Sequence, residues 1–197
     1  MILLPAALSV AGAVAGAVAL VIALTAAQAA AAQVVGDPES LFEPLRSVMQ
    51  HPRCQNCHAP GDTPLQSDRG TAHIPAVRRG PEGKGTDAVA CTTCHLDRNA
   101  RSPLLGREVP GAPDWHMPPR NAPMIFAGTA PRTLCETLKD RAANGGRSLE
   151  DLGRHMTMDS LLAWAWQPGG GRTIPPLTKP EFDAAAIAWL RAGAPCP

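Results

Sequence analysis

A mostly α-helical fold with long irregular loops is what this 197-residue sequence predicts. Three observations point there. Residues 37–53, 131–167 and 178–192 carry helix start and stop signals. No stretch alternates apolar and polar residues convincingly enough for a strand. The 21 prolines and 18 glycines gather in turn-rich runs such as "RRGPEGKGTD" and "PGAPDWHMPPRNAP".

The chain opens on a hydrophobic segment with no charged side chain before Asp37. From Ile2 to Ala27 it is long enough to span a bilayer as a helix, which takes about 20 residues. Small residues at Ala27, Ala29 and Ala32 would also suit signal peptidase, although the usual basic start is missing. Residues 1–35 therefore read as a signal peptide or an uncleaved transmembrane anchor, with residues 1–30 as the inner-membrane span. Gly12 and Gly16 form a GxxxG, a pattern that chance supplies readily in so small-residue-rich a run. Either reading exports residues 36–197 to the periplasmic side, where disulfides persist.

The exported part reads as one domain. "DPES" at 37–40 starts a helix that Pro44 limits or kinks. "PRTLCETLKDRAANGG" starts on Pro131 and runs to a Gly-Gly stop, and "SLEDLGRHM" opens with a Ser148–Asp151 capping box. Thr178 and Glu181 form a second box. Phe182, Ala186, Trp189 and Leu190 then share one face up to the stop at Gly193.

Composition narrows the function. The 18 basic and 17 acidic residues nearly cancel, so no basic field points to nucleic acid. Phe42, Phe126, Phe182 and four tryptophans are all the aromatics. A small, loop-rich chain with so few is short of core material, and something else has to fill its interior.

"CQNCH" at 54–58 recurs as "CTTCH" at 91–95. Cys54, Cys57, Cys91 and Cys94 could bind one zinc ion, but the gap between the halves exceeds that of compact zinc ribbons. Redox dithiols would sit near a βαβ pattern, which is missing. Covalent haem requires a histidine directly after the second cysteine, and His58 and His95 meet that requirement. The expected architecture is therefore a mostly α, dihaem cytochrome c-like domain behind an N-terminal hydrophobic helix. It holds two covalently bound haem c groups on the four cysteines, with His58 and His95 as proximal ligands. Two large apolar groups would replace the missing aromatic core, and the chain without them should fold poorly.

Arginines outnumber lysines, which are only Lys84, Lys139 and Lys179. Arg69, Arg78, Arg79 and Arg120 lie near the haem loops as candidate propionate partners, although a genome favouring Arg codons would give the same bias. Cys135 and Cys196 remain. Outside the cytoplasm an even remainder implies a disulfide, which should stabilise by about 4 kcal/mol in the chain-entropy model.

Distal ligands come from His51, His73, His116 and His155. His51 leads into its own motif and is poorly placed to cross that haem, so a surface or propionate contact is expected. His73 follows His58 by fifteen residues and can fold back over the first haem. His116 stands in a comparable place for the second, with Met117 in "WHMPP" and His155 on its helix as alternatives.

The segments "HPRCQNCHAPGDTPLQSD", "PGAPDWHMPP", "LKDRAANGGRSLEDLGRHM", "LLAWAWQPGGGR" and "GAPCP" resemble small secreted haem proteins labelled isoquinoline 1-oxidoreductase subunits. The resemblance covers Met49 to Cys196. It implies an electron-accepting cytochrome that serves a molybdenum hydroxylase-type dehydrogenase. The residues carry no molybdopterin or iron–sulfur site, so the hydroxylation would belong to the partner. The expected function is electron transfer between redox partners, not catalysis by this chain. Two alternatives are a peroxidase-type enzyme with one open iron and an accessory subunit of a membrane electron-transfer complex.

Overall fold

A computed structural model describes residues 37–197. The expected signal or anchor at 1–35 lies outside the described residues. Among the described residues no helix is long and apolar enough to cross a membrane.

A 3-10 turn, Pro38–Phe42, leads into α1 (Glu43–Met49) and the short α2 (Pro52–Gln55). Pro44 does not kink this segment. It sits in the first turn of α1, where its missing N–H removes no helical hydrogen bond. The chain then runs irregularly to residue 130.

Three two-stranded antiparallel hairpins interrupt that run: β1 (Leu65–Gln66) with β2 (Thr71–Ala72), β3 (Gly85–Thr86) with β4 (Val89–Ala90), and β5 (Ala100–Ser102) with β6 (Arg107–Val109). The sequence pattern does not announce them. Strands of two or three residues are too short to show a period, and their pairing is imposed by the turns between them.

Helices α3 (Pro131–Lys139), α4 (Leu149–Met158), α5 (Ser160–Ala163) and α6 (Lys179–Arg191) follow. Both capping boxes form, Ser148 with Asp151 and Thr178 with Glu181. Helix α3 stops at Lys139, short of the Gly-Gly pair. The Asp140 carboxylate accepts from Ala142 N–H (2.9 Å), and buried Asn144 donates to the Leu138 and Arg147 carbonyls (2.8 and 3.0 Å). These side chains offer the backbone a turn in place of further helix.

Leu45, Val48, Leu134, Leu138, Leu152, Phe182, Ala186 and Trp189 are buried together in one helical core. Phe42 packs on Trp189 and Trp166 on Phe182, with centroids 5.6 and 5.3 Å apart. Each fully buried side chain of this size contributes about 1.5–3 kcal/mol. The expected Cys135–Cys196 disulfide is present and ties α3 to the C-terminus, with Cα atoms 5.6 Å apart. Lys139 Nζ and Trp189 Nε1 donate to the Ala194 and Pro195 carbonyls, fixing the segment that carries Cys196.

Candidate haem-binding centres

His51 opens α2 as its N-cap. Its Nδ1 accepts from Arg53 N–H (3.3 Å), while its Nε2 lies 3.3 Å from Thr173 Oγ1. Both ring nitrogens are engaged, so His51 is a structural cap. The next turn brings Cys54, Cys57 and His58 together, with His58 N–H donating to the Cys54 carbonyl (3.0 Å).

Residues 124–126 grip the His58 ring from across the chain. Its Nδ1–H donates to the Met124 carbonyl (2.8 Å), and the ring lies on Phe126 with centroids 3.8 Å apart and planes 3° from parallel. Phe126 N–H in turn donates to the His58 carbonyl (3.0 Å). Enclosure pushes the imidazole pKa down to about 3, so the ring is neutral.

The second motif repeats the arrangement on a 3-10 turn, Cys91–Thr93. His95 N–H donates to the Cys91 carbonyl (3.0 Å) and its Nδ1–H to the Pro110 carbonyl (2.8 Å). The ring stacks on Trp115, with centroids 4.4 Å apart and planes 2° from parallel. Burial lowers this imidazole's pKa as well.

Both rings thus hold Nδ1 protonated against a carbonyl. Among the described residues no group hydrogen-bonds either Nε2. That is how metal-binding histidines are usually oriented. His73, His116 and His155 share the habit, with Nδ1 on the Pro75 carbonyl (2.9 Å), the Asp114 carbonyl (2.5 Å) and the Asp159 carboxylate (3.1 Å).

Each motif borders its own cavity. The first has a volume of about 140 Å³ and is lined by Cys54, Cys57, His58 and a largely apolar wall. The second has a volume of about 480 Å³ and is lined by Cys57, Cys91, Cys94 and His95. A ligand of cofactor size usually takes about 300–1,000 Å³, a range that the second cavity reaches and the first does not. Trp115, Met117 and Trp164 line both, so the two cavities share a wall. Gly83 fixes part of that wall. Its carbonyl accepts from Met117 N–H (2.9 Å), and a Cβ there would overlap the Met117 carbonyl oxygen.

The distal candidates do not fall where chain distance puts them. His73 borders the second cavity and not the first, its ring centroid 6.0 Å from that of His95. His116 and His155 border the first cavity and not the second. Buried Met117 borders both. The β1–β2 hairpin is the cause: it reverses the chain after the first motif and delivers His73 to the other side.

The arginines also redistribute. Buried Arg79 donates to the Ala59 and Gly61 carbonyls (2.9 and 3.0 Å), and more distantly to Pro118 and Pro123 (3.3 and 3.5 Å), so it braces loops. Arg120 pairs with Asp62, and exposed Arg69 borders neither cavity. Arg78 borders the second. Arg53 borders both, is ion-paired to Asp68, and keeps a buried Nε without a partner. Arg107 and Arg172 border the second cavity and Arg147 the first. Sequence reasoning passed over these four and the stacking rings Phe126 and Trp115. For Trp115 a signal existed, since it directly precedes His116–Met117.

The residues fit haem. The unpartnered Nε2 atoms, the apolar walls and the guanidinium groups at the cavities match an iron porphyrin with carboxylate side groups. Zinc fits poorly: among the described residues no three Cys, His, Asp or Glu groups converge as a metal site. Burial pushes the Cys54 thiol up to about 12 and Cys57 to about 11, so both are held as neutral thiols. Compared with family models, curated proteins and solved structures, the chain matches none.

Proposed function

We propose that this chain is an exported dihaem c-type cytochrome that carries electrons between redox partners. The observation that carries the reading is the duplicated motif, in which each histidine is clamped by a carbonyl at Nδ1 and by a parallel aromatic ring. Cys54 and Cys57, and Cys91 and Cys94, would each hold one haem through thioether bonds. His58 and His95 would be the proximal ligands. When bound, each haem supplies a one-electron iron couple.

The chain's own residues orient and shield. Phe126 and Trp115 fix the planes of the two imidazoles, and the carbonyls of Met124 and Pro110 hold their tautomers. Arg53, Arg78 and Arg107 offer donors for the acidic edges of the groups. The partner belongs to the redox proteins. A molybdenum hydroxylase-type dehydrogenase is the partner that the resemblance implies, and a membrane electron-transfer complex is the partner that an uncleaved anchor within residues 1–35 would suit.

The exported protein should stain for haem on a denaturing gel and weigh two haem units more than its peptide. Zinc without haem would overturn the reading. A low-spin spectrum that carbon monoxide does not change separates a carrier from an enzyme with an open iron.

A further inference from the structure

His73 follows the first motif in the chain but faces the second. Its N–H donates to the Pro64 carbonyl (3.1 Å), closing the β1–β2 hairpin. Arg107 of β6 donates to the Ile74 carbonyl (3.4 Å) and so ties the segment to the hairpin that follows the second motif.

Its ring is prepared as a donor. The Pro75 carbonyl (2.9 Å) can only accept, so the proton sits on Nδ1 and the lone pair on Nε2. The His73 and His95 rings lie 6.0 Å apart, tilted by 56°, and no hydrogen bond joins them. Two imidazoles bound to one first-row metal from opposite sides, with bonds of about 2.0–2.1 Å, have their centroids roughly 6 Å apart. Of the residues bordering the second cavity, His73 and His95 are the histidines and Met117 the methionine. The Met117 backbone is pinned to Gly83 within the wall shared with the first cavity.

We infer that His73 is the second axial ligand of the iron held by His95, which makes the second centre a bis-histidine site. This rests on the dihaem reading above. It also explains how the loop between the motifs is held: its first half belongs to the second centre. A bis-histidine centre has a lower potential than a His/Met one.

The test uses the exported, haem-loaded protein. His73→Ala should convert one of the two haems to a high-spin, carbon monoxide-binding form and leave the other unchanged. Cys91→Ser with Cys94→Ser leaves haem on the first motif alone, and adding His73→Ala there should change nothing. If that remaining haem becomes carbon monoxide-binding, His73 serves His58 and the inference fails. It fails equally if His73→Ala in the full protein leaves both haems low-spin. Should His73→Ala not accumulate, His73→Met keeps an axial donor and should move one haem's spectrum toward His/Met, whereas an unmoved spectrum overturns the assignment. A wild-type chain without covalent haem overturns the dihaem reading itself, and this inference with it.

Discussion

The His58 ring lies flat on Phe126, 3.8 Å between centroids, while the Met124 carbonyl, two residues earlier, accepts a hydrogen bond from its Nδ1–H at 2.8 Å. One short segment thus sets both the plane and the tautomer of the imidazole. Phe126→Ala should lower stability by about 3–5 kcal/mol, the usual cost of emptying a buried aromatic site. Denaturant unfolding measures it. Covalent haem should persist, because the thiols are untouched, and a loss near zero would show that the stack is incidental.

His116 and His155 both border the first cavity, and on the dihaem reading His155 is the expected second ligand there, because a carboxylate partner on Nδ1 raises ligand basicity. The Asp159 carboxylate accepts from its Nδ1–H and also caps α5 through the N–H groups of Leu161 and Leu162. The His155 hydrogen bond holds the Asp159 carboxyl down to about 2. His155→Ala should let the first haem bind carbon monoxide, and His116→Ala should not. The reverse result would move the ligand to His116.

Arg79 should matter to the loops and not to the haem acids. Arg79→Leu leaves the buried Ala59 carbonyl without its donor, a loss of about 1–3 kcal/mol. Faster proteolysis in the loops around residues 59–61 and 118–123, with two haems still attached, is the expected outcome. Haem loss without loop cleavage would restore a propionate role.

His51 caps α2 as a neutral acceptor, and burial holds its pKa below the ordinary value. The unfolded chain therefore takes up this proton first, near the ordinary pKa of about 6.5. The His51 contribution is complete above that pH and is lost as pH falls toward the folded value. His51→Asn keeps a capping acceptor without the proton site. Unfolding curves from pH 8 to 5 should show a shallower decline for the variant, and parallel declines would refute the capping role.

Cys135→Ser should reduce stability by about 4 kcal/mol in the chain-entropy model, since the bridge spans 61 positions. Guanidinium unfolding reads the loss. The haem spectrum should not change, because Cys135 borders neither cavity.

Local chemistry was legible in the sequence wherever it depends on neighbours a few positions apart. The capping boxes at Ser148 and Thr178, the buried face of Phe182, Ala186 and Trp189, and the two Cys-x-x-Cys-His turns are of that kind. The Cys135–Cys196 bridge was also legible, because pairing the remaining two thiols leaves no choice. Only the tertiary structure decided which imidazole faces which. His73 reaches His95 because a short hairpin with a four-residue loop, 67–70, reverses the chain, and Arg79 is spent on carbonyls up to 44 positions away. Such contacts are set by turn geometry and long-range backbone acceptors. Neither leaves a periodic trace in a loop-rich sequence, so residues 59–130 could be read for their chemistry but not for their partners.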